Sequence, residues 1–479
     1  MAEQKYDLVV IGAGSGGLVA ARFAAQLGAK VALVEKDRIG GDCTWTGCVP
    51  SKALIKAAKV AHEVHTASQY GIAAGAPLTD MAKVRDYVRS ASQQVYHFET
   101  PEELRRDGID VFLVGARFLD ARSVLVGDSI VRSKKFLLAT GARPLVPPIT
   151  GLDTVPFITY EEILEVEKLP KTMIIVGGGP IGMEIAQAYQ RLGSQVIVVA
   201  DNLLPKEDAD VRELMQSVLE REGVHFLWGR AKAARKESDA IVIANDREEA
   251  RGDLLLIASG RKPTVDGLDL EKAGVKYSQK GIPVDSQLRT NVKHIYAAGD
   301  VTGGYQFTHF AGWQAFQAVR NALLPGSNSG FTNLVPRVTF TDPEVASVGV
   351  TEQQARAAFG DRMKIFQWRM DHTDRAVCEN DQAGFIKIIT EGGSKILGAT
   401  IVAGRAGETI SELVVAIRQK IGIAELAGII HAYPTYSTAI QQLAAEITTA
   451  QVLSGTFGKI VRTLLKLSTT GKQREHIQT

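Results

Sequence analysis

Cys43 and Cys48, in Gly40-Gly-Asp-Cys-Thr-Trp-Thr-Gly-Cys-Val-Pro-Ser-Lys52, are a cysteine pair five residues apart. Five residues of ideal helix advance roughly 7.5 Å along the axis. A disulfide usually needs Cα atoms roughly 4.4–6.8 Å apart. A bridge therefore requires distorted backbone, and Gly47 makes that distortion cheap. An isolated pair of this kind suits redox or metal chemistry better than a structural bridge, with two buried thiols as the plain alternative. Two cysteines alone cannot complete a structural zinc site. The remaining cysteine, Cys378, reads as a loop or core thiol, and a total of three argues against a secreted disulfide scaffold.

The elements around the pair belong to a pattern that occurs twice. Residues 6–12 are a nearly continuous apolar run, the mark of a strand buried on both faces. The run enters Gly12-Ala-Gly14-Ser-Gly-Gly17, a helical stretch follows through Gln26, and a second strand ends at Glu35. Gly12 permits a tight turn, Gly14 lets a pyrophosphate approach the backbone, and Gly17 lets helix and strand pack closely. The helix N-terminus offers N–H groups to the phosphates. Glu35, 23 residues after Gly12, stands where a carboxylate accepts from a ribose hydroxyl. The same syntax returns at 173–199 with Gly177, Gly179 and Gly182, and Ala200 followed by Asp201 occupies the place of Glu35.

The fold expected is α/β, with two Rossmann-like dinucleotide-binding domains and a C-terminal α+β domain. The first unit occupies 1–150, with a helical region near 80–106 and strands at 111–114 and 123–126. It closes on a run through Thr140 and Gly141, and Pro144, Pro147 and Pro148 mark its boundary. The second unit, 151–275, closes on a similar run through Gly260. Residues 276–335, with Ala297-Ala-Gly-Asp300, return to the first domain. Residues 336–455 carry strands near 337–349 and 384–403 and helices near 351–359, 407–421 and 437–453.

The 479 residues are 45% hydrophobic and 23% charged, which excludes a disordered chain and suits about three domains. A net charge of +2 gives no sign of a nucleic-acid partner. No signal-peptide pattern opens the sequence and no run approaches ~20 apolar residues, so the expected location is the cytoplasm. Charge is concentrated at 455–479, which carries +4 against −2 for the rest. There Phe457, Ile460, Val461, Leu464 and Leu465 form an apolar helical stripe beside Lys459, Arg462 and Lys466. This extension, 456–479, is expected to pack on the body of the protein or, through 456–467, to lie against an anionic membrane.

With the cysteine motif, both glycine turns and Ala297-Ala-Gly-Asp300, the chain resembles the flavin-dependent pyridine nucleotide–disulfide oxidoreductases up to about residue 455. The resemblance implies FAD on the first unit, NADH or NADPH on the second, and a homodimer built by the C-terminal domain. It implies that Cys48 lies against the flavin as a thiolate and that Cys43 meets a small-molecule acceptor. Lys52 and Glu184 match a catalytic ion pair, Asp300 a flavin-binding aspartate, and His309 a residue beside the flavin; Thr140, Gly141 and Gly260 join the cofactor-binding set. No resident metal site is implied.

Departures from the family pattern narrow the reading. Dihydrolipoamide dehydrogenases carry a His-Pro-Thr segment whose histidine is an acid–base group, oriented by a glutamate five residues later. Here those positions are Tyr433 and Thr438, and a phenol of pKa ~10 is a poor base at neutral pH. His431, two residues away on extended backbone, is a candidate substitute sharing a face with Tyr433. Mercuric reductases are similar in having tyrosine there and alanine at the place of Ala200, but pass metal through a second cysteine pair, and no cysteine follows Cys378. Ala200 removes a carboxylate that would repel a 2′-phosphate, Asp201 could restore it, and no arginine is adjacent in sequence; the expectation leans to NADPH. The function expected is NAD(P)H oxidation through FAD and the Cys43–Cys48 disulfide to a disulfide, metal-ion or quinone acceptor, mercuric-reductase-like. The alternatives are a dihydrolipoyl dehydrogenase and, in another class, a flavoprotein sensor or structural subunit.

Overall fold

In the computed structural model, which describes residues 4–456 and 458–465, the first apolar run forms the strand Gln4–Ile11 inside a mixed sheet. Its neighbours on one side are Val31–Glu35 and Ile109–Leu113, both parallel; on the other is the long strand Ser129–Leu138, also parallel. Ile295–Ala297 adds a further parallel strand to Ser129–Leu138, while Ser123–Val126 and Ala116–Asp120 continue antiparallel. The apolar runs are continuous because both faces are covered. Leu8, Val10 and Leu33 pack with the helices Ser15–Gln26 and Thr308–Leu323, and Val9, Ile11 and Val34 face Phe118, Phe136 and Ile295. The helical region expected at 80–106 is two helices, Met81–Tyr96 and Pro101–Arg106. The break is chemical: Thr100 caps the second by accepting from the Glu103 N–H, and Pro101 begins it.

The second unit repeats the syntax with a parallel sheet in the order His225–Trp228, Gln195–Ala200, Thr172–Val176, Leu254–Ile257. The helix Pro180–Leu192 packs on it, almost wholly buried through Tyr189. An antiparallel meander, Ala233–Glu237, Ala240–Ala244 and Glu249–Gly252, lies beside this sheet and has no counterpart in the sequence reading. Its outer strands consist of small and charged residues rather than large apolar ones. The closing runs of the two units meet: Ala142–Pro144 pairs antiparallel with Arg261–Pro263.

The described chain divides into two compact bodies. One combines residues up to 205 with 216–332; the other combines 206–215 with 333 onward. The second body is an antiparallel sheet in the order Arg337–Thr339, Glu344–Gly349, Lys395–Ala403, Phe385–Glu391, Met363–Arg369. The helices Ala406–Gln419 and Thr438–Ser454 share its core with Ile386, Ile388 and Ile401. The acidic segment beginning at Lys206 belongs to this body through ion pairs. Glu207 meets Arg337, and Asp208 and Asp210 meet the buried Lys387 at 2.8 Å each. No helix among the described residues is long and apolar enough to cross a membrane.

Candidate active site

Both glycine turns have the shape of a dinucleotide cradle. A Cβ on Gly12, whose φ is +101°, would stand 2.4 Å from the Ala139 carbonyl oxygen, and one on Gly17 would stand 1.8 Å from that of Gly12. In the second turn the same is true of Gly177, φ +128°, against Ala258 at 2.4 Å and of Gly182 against Gly177 at 2.2 Å. The middle glycines differ: Gly14 has nothing nearer than 3.9 Å and Gly179 nothing within 4 Å. In each turn the outer glycines are closed by backbone and the middle one is open. No side chain caps the helix that follows Gly14 or Gly179, so the free N–H groups of the first turn, in the second helix those after Pro180, are available to a phosphate. These residues fit FAD on the first turn and a nicotinamide dinucleotide on the second. Glu35 touches its turn directly, Oε2 accepting from the Ala13 N–H at 2.7 Å and Oε1 from Asp37 at 2.8 Å.

The cysteine pair sits where one helix stops and another starts. Cys43 is central in the helix Gly41–Trp45; Cys48 is the first residue of the helix Cys48–Thr66. Gly47 between them leaves the helical region at φ −122°, ψ −111°, and a Cβ there would meet the Asp42 carbonyl oxygen at 2.8 Å. This is the distortion that the spacing demanded. Both cysteines are free thiols, hydrogen-bonded to each other. The bond from Cys43, followed by that from Thr308, whose hydroxyl lies 3.2 Å from Sγ, and by the charge of Lys52, lowers the Cys48 pKa to about 6 against the cost of burial. The same bond, with burial, pushes Cys43 far above the ordinary thiol range. The reduced pair is therefore polarised, with the thiolate on Cys48 and the proton on Cys43.

Lys52 stands one turn below Cys48, and its Nζ meets Glu184 Oε2 at 2.8 Å. Glu184 is buried on the helix Pro180–Leu192, so the pair links the cysteine helix to the second glycine unit. His309 stacks on Phe307, ring centroids 5.4 Å apart. Thr140 Oγ1 donates to the Thr264 carbonyl at 2.7 Å, the Gly141 carbonyl accepts from Thr264, and the Gly260 carbonyl accepts from Leu145, so these three residues lie where the closing runs cross.

Arg261 and Thr308 are site residues that the sequence reading did not single out. Arg261 Nη1 meets Asp300 at 2.7 Å, Nη2 meets Asp42, and Nε donates to the Tyr160 hydroxyl at 3.2 Å. Burial works against this guanidinium, but Asp300, Tyr160 and Asp42 outweigh it and hold it charged. Burial in turn raises the Asp300 carboxyl, and Arg261 opposes that rise. The sequence signal was present in Gly260-Arg261 and in Thr308-His309; their partners, however, lie far away along the chain.

In the second body Tyr433 is exposed and donates its hydroxyl to Asp374, a bond that raises the phenol pKa further from any base role. His431 points elsewhere: Nε2 is 2.8 Å from Glu412 Oε1 and Nδ1 2.9 Å from the Ile429 carbonyl. His431 and Tyr433 thus engage different carboxylates, Glu412 and Asp374. Thr438 Oγ1 donates to the Ala432 carbonyl at 3.1 Å. Cys378 is exposed at the end of the helix Asp374–Cys378.

The family described as pyridine nucleotide-disulphide oxidoreductase matches residues 6–315, and its dimerisation domain matches 335–444. A dihydrolipoyl dehydrogenase of Haloferax volcanii is 35% identical over 457 residues, covering 91% of this chain and 95% of that protein. A mercuric reductase of Acidithiobacillus ferrooxidans is 35% identical over 461 residues, covering 94% and 84%. Among solved structures, the Cu(II) complex of the HOCl-induced flavoprotein disulfide reductase RclA from Escherichia coli superposes with a TM-score of 0.83 at 28% identity, covering 92% of this chain and 99% of that one.

Proposed function

The chain belongs to the pyridine nucleotide-disulphide oxidoreductase family, and on that premise we propose that Cys43 and Cys48 are its redox-active pair, with Cys43 the thiol that meets the acceptor. It is an enzyme that uses FAD and NAD(P)H, and its dimerisation domain supports a homodimer. FAD at the first glycine turn would supply the two-electron redox chemistry that couples NAD(P)H to the cysteine pair. Gly12, Gly14, Gly17, Glu35 and Asp300 would hold it, and Gly177, Gly179 and Gly182 would hold the nicotinamide dinucleotide.

The observation that carries the division of labour is the polarity of the thiol pair. Cys48, at a helix N-terminus with Lys52 and Thr308 beside it, keeps the negative charge; Cys43 keeps the proton. With a disulfide acceptor, Cys43 sulfur gives up its proton and attacks one acceptor sulfur, expelling the other as a thiol. Cys48 thiolate then attacks Cys43 sulfur, re-forms the Cys43–Cys48 bond and expels the second acceptor sulfur as a thiolate, which takes its proton from water. The acceptor proposed is a small disulfide, a metal ion or a quinone rather than dihydrolipoamide, because Tyr433 is held by Asp374 and its pKa is raised. One observation favours the dihydrolipoyl reading: the His431–Glu412 pair supplies a histidine held by a carboxylate in the same segment. We further propose peripheral contact of the segment 456–467 with an anionic membrane. Exposed Ile460, Leu464 and Leu465 lie there beside exposed Lys459 and Arg462; Phe457 and Lys466 fall outside the described residues.

Anaerobic titration tests the redox assignment. The wild type should take up two electrons beyond those held by the flavin and develop a thiolate–flavin charge-transfer band. Cys48→Ser should abolish the band, and Cys43→Ser should show it before any reductant is added. Uptake at the flavin alone would refute the role. Dihydrolipoamide oxidation should run about 10²–10⁴-fold below enzymes with a positioned base, and Tyr433→His with Thr438→Glu should raise it. A wild-type rate equal to theirs would favour the His431 reading.

A further inference from the structure

We infer that Arg230 makes the second dinucleotide site selective for a 2′-phosphorylated coenzyme. The inference rests on the reading that this turn binds the nicotinamide dinucleotide. The two glycine units allow an internal comparison. In the first, the carboxylate of Glu35 turns back onto the glycine turn and accepts from Ala13. In the second, Ala200 has no such group, and its Cβ lies only 3.1 Å from where a Cβ on Gly178 would stand. The residues after the strand stay against the turn: a Cβ on Gly178 would meet the Asn202 carbonyl oxygen at 2.0 Å, and Leu204 N–H donates to the Gly178 carbonyl at 2.8 Å. The segment 200–204 therefore lines the place occupied in the first unit by the ribose-facing carboxylate.

Asp201 is the acidic group that would repel a 2′-phosphate, but it does not stand alone. The neighbouring parallel strand aligns Trp228 with Ala200, and Gly229 N–H donates to the Ala200 carbonyl at 2.9 Å. This pairing places Arg230 just beyond the same sheet end, and its Nε donates to Asp201 Oδ2 at 2.7 Å. The Arg230 bond holds the Asp201 carboxyl below the usual carboxylate range. The bond uses Nε only, and the Arg230 side chain is 82% exposed, so the terminal guanidinium nitrogens project from the carboxyl end of the strands. Ligands of open α/β sheets bind at that end, and an arginine there accommodates the 2′-phosphate. The arginine that is not adjacent in sequence is supplied 29 residues later by the next strand. Arg230 thus offsets Asp201 and adds a fork of donors for a dianionic phosphate, while an unphosphorylated ribose gains nothing from it.

The test uses the full-length protein with FAD, and two probes read by calorimetry without turnover, 2′,5′-ADP and 5′-ADP. The wild type should bind 2′,5′-ADP at least about tenfold more tightly than 5′-ADP. Arg230→Gln should reduce that ratio about tenfold, and Asp201→Asn should increase it. The ratio of kcat/KM for NADPH over NADH should move in the same directions. Equal affinity for the two probes, or an Arg230→Gln ratio equal to wild type, overturns the inference while leaving the dinucleotide reading intact. Failure to bind either probe overturns both.

Discussion

Thr308 lies 260 positions from Cys48 along the chain, yet its hydroxyl is 3.2 Å from the sulfur. Cysteine spacing can be read locally, and Gly47 signalled the break in the helix. The groups that set the thiol pKa could not be read so, because they arrive by tertiary contact. Arg261 is the same case, 219 residues from Asp42. Arg230 escaped because only the strand register brings it to Asp201. The sign of the thiol prediction follows from the depressed Cys48 pKa: the thiolate and its charge-transfer band persist as pH falls towards about 6 and fade below it. Thr308→Val removes one hydrogen bond to the anion and should move that midpoint up by about one pH unit, ~1.4 kcal/mol. Thr308→Ser should keep it. A pH titration of the band in the reduced protein checks this; an unmoved midpoint in Thr308→Val would discount the hydroxyl.

At the scale of elements, the strands buried on both faces and the glycine turns were legible, since each writes a continuous apolar run or a fixed spacing. The strand Ala116–Asp120 and the meander around Ile241 were not, because short strands with one solvent face carry charges that read as loop. The C-terminal stripe was legible as a helix, and the structure adds that Ile460, Leu464 and Leu465 are each more than half exposed. Packing among the described residues therefore leaves Ile460 and Leu464 largely exposed. Cutting after Gly455 should leave the melting temperature within about a degree and abolish co-sedimentation with anionic vesicles, while neutral vesicles bind neither form. A truncated protein that still co-sediments, or that melts substantially lower, would count against the membrane contact.

For the whole molecule, the sequence pattern showed the duplicated nucleotide frame but not how the acidic stretch after Pro205 is used. That stretch leaves a strand of the second glycine unit and is bound into the second body by Lys387, whose side chain is 2% exposed. A lysine in an apolar β-strand reads as an outward residue until Asp208 and Asp210 are seen against it at 2.8 Å. Burial alone would lower its pKa; the two carboxylates outweigh burial and raise it. A raised lysine pKa stabilises the fold fully below the unfolded value of ~10.4 and loses that contribution only as pH climbs through the folded value. At neutral pH the clamp is intact. Lys387→Met keeps the volume but leaves Asp208 and Asp210 facing each other without their cation, which costs about 3 kcal/mol when a buried pair is broken from one side. Asp210→Asn should cost much less, because Asp210 is 39% exposed and water screens it, and Lys387 retains Asp208. Denaturant unfolding at pH 7 measures both. A Lys387→Met loss no larger than that of an exposed pair, under about 1 kcal/mol, would mean that the anchoring of the acidic segment contributes little to the stability of this body.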